Sequence, residues 1–341
     1  MPTMKLKTHQ EIEDFVRGCT FYATGGGGLP ANGIRSLMEE LEAGREVGWV
    51  DIGEIPDDAL SVCPFLMGSI APHSAETKAE MAGYGMTGEA SVHSEGDRLA
   101  RAILALGEYT GKQFDVVVPI ELAGANTPGP MAAASRLGMV TVDGDYTSRA
   151  IPEIVQITFN YQHKPILPVV SVDEWGDVCI IKEAINARVI EKIGKLISVA
   201  GYGLAGQAGM VLDGKGLRET LIPGTLSECY TAGKLLREAR EAGRDPVRAL
   251  SDAIESYELC RGTIVKKDDY DADGYYWGTV TVDCGADEFK YWFKNENHIV
   301  WKNGEPYVTS PDIIAAIDTD TGEPVPNPLS FIGQRIALVG V

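Results

Sequence analysis

Phe114-Asp115-Val116-Val117-Val118-Pro119-Ile120, running on into Glu121-Leu122-Ala123-Gly124-Ala125-Asn126, is the stretch on which the fold turns. Three consecutive valines and Ile120 make an apolar run without the polar alternation of a one-sided strand. Such a run predicts a strand buried on both faces, in the style of a parallel sheet. Downstream, residues 131–137 read as a short Ala-rich helix and 139–142 as the next strand. Upstream, Leu99, Ala102, Ile103 and Leu106 put one apolar face on a helix over 99–109, and 62–67 reads as a further short buried strand. Strands alternating with helices predict a layered α/β unit. Farther upstream, Thr8 and Glu11 form a capping box before Ile12, Phe15 and Val16. That helix ends in the loop Gly25, Gly26, Gly27 and Gly28. A second amphipathic helix follows, carrying Ile34, Leu37, Met38 and Leu41, and stops at Gly44.

The character changes near Pro165 and Pro168. Residues 169–172 and 178–181 flank a turn at 173–177 and read as a hairpin. Helices are predicted over 184–199, 225–242 and 246–257. The remainder is strand-like, with aromatics and valines over 275–284, 288–294 and 298–302. Asn303-Gly304 is a hairpin turn signal, and 313–317 and 335–341 close the chain as strands. Asp269, Asp271, Asp273 and Gly274 resemble the start of a calcium loop, but Val280 stands where the twelfth-position Glu is required, so a charged hairpin turn is predicted instead. The boundary falls at 168: an α/β half over 1–168 and a β-rich half with attached helices over 169–341.

The chain has 341 residues, 30 Lys and Arg against 49 Asp and Glu, and a net charge of -19. That balance argues against nucleic acid or an anionic membrane surface as partner. The six cysteines form no C-x-x-C pair, which excludes a zinc ribbon and a thioredoxin-like motif. Scattered thiols, no secretory signal and no long apolar run lead to the expectation of a cytoplasmic protein. A homo-oligomer is expected.

Two successive strand ends supply the candidate chemistry. Glu121 and Asn126 follow the first; Asp143 and Asp145 follow the second, with Arg149 and Glu153 just beyond. In α/β sheets ligands bind beyond the carboxyl ends of strands, so these side chains are expected to share one rim. Carboxylates so placed can hold different pKa values, as acid–base work requires. The rival reading is turn chemistry, since Asp-Gly-Asp is an ordinary turn sequence. The four glycines let backbone approach a ligand, or form a tight interhelical turn. His73, in a loop past the strand 62–67, is a weaker candidate for base or ligand. His298, beside Glu296 and Asn297, is read as strand-edge packing. No G-x-S-x-G elbow occurs, which disfavours a serine hydrolase. No cofactor is expected, and a divalent metal on the acidic loops is left open.

Thr24 with the four glycines, PIELAGAN (119–126), VDGDYTSRAIPE (142–153), NENHIVW (295–301) and SPDIIAAID (310–318) together resemble the S-methyl thiohydantoin desulfurase family, in family order across nearly the whole chain. The resemblance implies an N-terminal three-layer α/β/α domain followed by a β-barrel-like C-terminal domain. It also implies a hydrolase acting on a small cyclic amide-type ring, releasing methanethiol and leaving a hydantoin. On that footing Asp143 or Asp145 is the expected base and Glu121 the acid or orienting group. Arg149 would grip substrate, Asn126 would hydrogen-bond the ring, and the glycine amides, with His73 and Glu153, would line the pocket. Two other functions fit the same residues: a ring-opening amidohydrolase for hydantoins or lactams, with or without a metal, and a non-catalytic subunit of a hydantoinase or oxoprolinase complex.

Overall fold

Six strands make a mixed sheet in the order Val140–Thr141, Val116–Val117, Leu60–Met67, Ala205–Asp213, Val169–Val172, Val178–Ile181 in a computed structural model that describes residues 3–68, 73–88 and 94–341. The first three are parallel; the others join antiparallel. Along Leu60–Met67 successive side chains go to opposite faces. Val62 and Leu66 meet Leu99, Ile103 and Leu106 of the helix Glu95–Thr110. Cys63, Phe65 and Met67 meet the other face, where Ile190 of the helix Ala187–Ala200 packs. Helices on both faces explain why the strand run carries no polar alternation. The result is the three-layer α/β/α arrangement.

Seven antiparallel strands form the second sheet and curl into a half-barrel: Glu305–Thr309, Glu296–Lys302, Glu288–Lys294, Tyr275–Asp283, Tyr257–Ala272, Arg335–Gly340 and Ile314–Asp318. Its inner face buries Ile264, Val280, Phe289, Tyr291, Phe293 and Val300. Asp273 and Gly274 both have positive φ, 55° and 74°, as do Asn303 and Gly304, at 51° and 87°. Positive φ at both central residues is the two-residue hairpin geometry, so both turns read from sequence are present.

A third cluster fills the space between the helices His9–Tyr22, Pro30–Glu42, Thr225–Glu241 and Pro246–Ala253 and the outer face of the second sheet, through Ala315, Ile317, Ala337 and Val339. His9–Tyr22 starts at the Thr8–Glu11 capping box. It crosses Thr225–Glu241 at two glycines. A Cβ on Gly18 would lie 1.7 Å from the Cys229 carbonyl oxygen, and one on Gly233 1.8 Å from that of Asp14. Beside the crossing, the buried Asp14 carboxylate accepts from Arg17 Nη1 at 2.6 Å and from Arg237 Nε and Nη2 at 2.9 and 3.0 Å.

The expected division at residue 168 falls inside the six-stranded sheet, which takes three strands from beyond it. Several strands were not read from sequence, Ala205–Asp213 and Tyr257–Ala272 being the longest. Ala205–Asp213 is built largely of small residues, which its neighbours demand: a Cβ on Gly206 would lie 2.9 Å from Arg98 Cβ, and one on Gly209 2.9 Å from Val169 Cγ2. Tyr257–Ala272 is charged and exposed along much of its length, and its first residue had been assigned to the preceding helix, which stops at Ala253. Among the described residues no helix is long and apolar enough to cross a membrane.

Candidate active site

The chain leaving Val116–Val117 enters a buried turn closed by its own side chains. Thr127 Oγ1 donates to the Glu121 carbonyl and accepts from the Ala123 amide, both at 2.7 Å. Asn126 Oδ1 accepts from the Leu66 amide at 2.7 Å, and its Nδ2 donates to Glu121 Oε1 at 2.7 Å. Glu121 Oε2 accepts from the Ile151 amide at 2.8 Å. Both carboxyl oxygens of Glu121 are therefore oriented. Burial pushes its pKa up to about 7; the donors on Ile151 and Asn126 pull against this, and Asp145 adds to it.

Glu296 opens the strand Glu296–Lys302 and is 1% exposed. Its Oε2 has no hydrogen-bond partner. Burial, with the Glu121 carboxyl next in importance, holds its pKa well above the usual carboxylate range. Gly26 backs this side chain so closely that a Cβ there would lie 2.0 Å from Glu296 Oε1. Lys195, on Ala187–Ala200, donates to the Gly274 carbonyl at 3.1 Å and stands 3.8 Å from Glu191 Oε1. Its ammonium lies 3.9 Å from the Tyr275 ring centroid, with Lys294 at 4.0 Å from the same ring. Burial lowers the Lys195 pKa. Glu191 Oε2 accepts from the Ile154 amide at 2.9 Å, and Glu153 is ion-paired to Lys294.

Glu121, Asn126, Glu153, Glu191, Lys195 and Glu296, with the backbone of Gly27 and Gly28, enclose a cavity of about 70 Å³ floored by Phe65, Met67 and Ile120. That is room for a handful of waters or one small ring. An apolar floor with a few convergent polar groups of perturbed pKa is the usual form of a small-molecule site.

Of the residues expected at one rim, Glu121, Asn126, Glu153, Gly27 and Gly28 reach this cavity. Gly25 and Gly26 lie one layer behind it, against Asn327 and Glu296. Asp143, Asp145, Arg149 and His73 do not line it. Asp143 caps the helix Thr225–Glu241: Oδ1 accepts from the Leu226 and Ser227 amides at 3.0 and 3.1 Å. Asp145 is fully buried and accepts from the Thr147 and Ser148 amides, Thr147 Oγ1 and Thr225 Oγ1. Arg149 spends its donors on the chain. Nε bonds the Ala150 carbonyl, Nη1 those of Pro311 and Asp312, and Nη2 bonds Thr24 Oγ1 and the Asn297 carbonyl. His73 is exposed with Nε2 against the Tyr202 carbonyl, and residues 69–72 of its loop lie outside the described residues. Glu191, Lys195, Asn295 and Glu296 were not read as site residues. Glu191 and Lys195 are an i,i+4 pair, but apolar residues surround them on the helix, so its period does not select their face. Among the described residues no group of three or more His, Cys, Asp or Glu side chains is placed to hold a metal ion.

Two predictions follow from these partners. Arg149→Lys keeps the charge and loses the planar fork, so it should cost about 2 kcal/mol or more of stability. Substrate affinity should change little, which urea unfolding and KM together would check. Stability should also fall with rising pH. Burial raises Glu121 from 4.5 and Asp145 from 3.8, each to about 7. The folded chain thus holds protons that the unfolded chain has released, and the contribution is complete below about pH 4 and lost as pH rises through 7. Thermal unfolding at constant ionic strength should show a lower Tm at pH 8 than at pH 5, with a shallower slope in Glu121→Gln.

A family model described as S-Me-THD-like, N-terminal domain, matches residues 10–183, and one described as S-Me-THD-like, C-terminal domain, matches residues 185–341. A crystal structure of a protein from Chromobacterium violaceum, a structural genomics target, has the same fold. Its TM-score is 0.78 at 21% identity, over 99% of this chain and 91% of that one. No curated protein matches the chain. With both family models matched end to end, the chain belongs to the S-Me-THD-like family, the S-methyl thiohydantoin desulfurase-like proteins.

Proposed function

We propose that the protein is a hydrolase of a small cyclic thioimidate, most simply an S-methyl thiohydantoin, releasing methanethiol and leaving the hydantoin. The observation that carries this reading is the pairing of two buried carboxyls on one small cavity. Glu121 is oriented through both oxygens and titrates near neutrality. Glu296 is pushed by burial toward its protonated form and has one oxygen open. Environments that push two carboxyls to different tasks are how acid and base roles are divided.

In this mechanism ionised Glu121 takes a proton from water as its oxygen attacks the ring carbon that carries sulfur. Protonated Glu296 gives its proton to the adjacent ring nitrogen. A tetrahedral carbon results, bearing hydroxyl and methylthio groups. As the C–S bond breaks, the hydroxyl proton returns to Glu296 and the new carbonyl forms. The departing thiolate takes the proton held by Glu121. Water is thus divided between the carbonyl oxygen, the ring N–H and the thiol, and both glutamates return to their starting states. Lys195 draws the Glu121 pKa downward and so favours its ionised form. Asn126 orients Glu121, and the Gly27–Gly28 backbone forms the wall against which a flat ring would lie.

The test offers the enzyme an S-methyl thiohydantoin and, separately, a plain hydantoin, following thiol release and ring opening. Thiol release from the first supports the reading. Ring opening without thiol release would replace it with an amidohydrolase. No turnover of either would leave the non-catalytic subunit.

A further inference from the structure

Of the four outer edges of the two large sheets, three are blunted among the described residues. Glu305–Thr309 carries Glu305 and Pro306. Ile314–Asp318 is bridged by Pro324. Beside Val140–Thr141 lies Val50, whose amide bonds the Thr141 carbonyl and whose carbonyl takes the Asp143 amide. The fourth, Val178–Ile181, has no proline and no charge within it and, among the described residues, no covering strand, and Val178 and Ile180 are 48% and 42% exposed. A bare apolar edge is a template for another strand, and natural proteins rarely leave one uncovered.

We propose that this edge pairs with the same edge of a second copy, joining two six-stranded sheets across a two-fold axis. The ladder fixes which groups are available. The Asp173 amide donates to the Asp177 carbonyl, and Ser171 is registered with Cys179. In an antiparallel ladder, inward and outward main-chain groups alternate. Cys179 therefore bonds inward to Ser171, and the N–H and C=O of Val178 and Ile180 point out. A two-fold normal to the sheet keeps each face on its own side, so opposed residues must share a face. Every register centred on a residue satisfies this, and two of them centre on the middle of the strand, Ile180 or Cys179. Centring on Ile180 sets Asp177 against the partner's Glu183, like charge against like. Centring on Cys179 joins Val178 to the partner's Ile180 by reciprocal main-chain bonds on both sides of the axis, and stays within the strand. The second register is the one assigned. It puts Cys179 opposite the partner's Cys179 in a non-hydrogen-bonded pair, with α-carbons about 4.5 Å apart, inside disulfide reach.

Light scattering on the eluting full-length protein should give a dimer. Ile180→Lys sets a charge against the partner's Val178 on each side of the axis, with the two like charges diagonal to one another, and should weaken dimerisation by about 100-fold or more, with an unchanged circular dichroism spectrum because Ile180 is exposed. Diamide provides the second readout: two thiols give one disulfide as the diazene takes up two electrons and two protons. A covalent dimer should form in the wild type, and none in Cys179→Ser, which should remain a non-covalent dimer. A wild type that is monomeric at all concentrations, a dimer unaffected by Ile180→Lys, or a cross-link that survives Cys179→Ser would overturn the proposal.

Discussion

Glu121→Gln is expected to lower kcat/KM for thiol release by about 100- to 10,000-fold, the usual range for removing a positioned base. The pH profile carries the sharper information. A base must be ionised, so wild-type activity should rise through about pH 7, where Glu121 titrates. Glu296 must be protonated, so activity should fall again at higher pH. The two limbs belong to the pair as a whole, because the carboxyls face one cavity and the Glu121 carboxyl raises that of Glu296. Glu121→Gln should lose the rising limb and Glu296→Gln the falling one. A glutamine at 121 also turns an amide toward the Ile151 N–H or the Asn126 Nδ2, so some stability is lost with the activity. Full activity with an intact bell in Glu121→Gln would remove it from the mechanism.

Gly233→Ala should be the most damaging substitution for folding. The added carbon meets main chain rather than a movable side-chain tip: Asp14 carbonyl oxygen at 1.8 Å and Gly18 nitrogen at 2.5 Å. The helices His9–Tyr22 and Thr225–Glu241 would have to separate. Separation would also pull Arg237 from the buried Asp14 carboxylate, which accepts from it through both oxygens. Overpacking alone costs about 1–3 kcal/mol, and a disturbed buried ion pair adds several more. The expected outcome is a chain that is insoluble or loses its cooperative urea transition at 25 °C. Gly44→Ala is the control, since that glycine has nothing near its Cβ position; its cost should be confined to its positive φ.

The layered fold was legible because 62–67 and 116–118 are apolar without alternation, as a strand covered on both sides requires. The β-rich character of the second sheet was legible in its aromatics and in the two Asx-Gly turns, and its barrel-like curl only through the family resemblance. The strand Ala205–Asp213 was not, because small residues signal a close neighbour without naming it. At the site, Glu121 and Asn126 were found since both sit in the turn that ends a strand. Asp143 and Asp145 occupy an equivalent place, yet Asp145 closes its own turn on Thr147 and Ser148, as the rival turn reading has it, with Thr225 beyond, and the partners of Asp143 are Leu226 and Ser227, about eighty residues on. Nothing local distinguishes a carboxylate that caps a distant helix from one that faces a ligand. Glu296, within NENHIVW, carries no local sign of its burial, since the glycine loop packed behind it lies about 270 residues away in the chain. The four glycines were weighed as site or turn, and they divide: Gly27 and Gly28 border the cavity, while Gly26 makes space for Glu296.

The strand Ala205–Asp213 lies between Leu60–Met67 and Val169–Val172, with Cys63 registered to Gly209. The two family segments meet at 183–185, yet the first cannot complete its sheet without a strand from the second. During synthesis the whole N-terminal segment therefore leaves the ribosome with a gap in the middle of its sheet and the flanks of Phe65 and Val170 uncovered. Such an intermediate is exposed to aggregation until the missing strand arrives. Splitting the gene at the family boundary would turn that brief wait into a search between two molecules. The halves would have to be made together and meet before the six-stranded sheet could close.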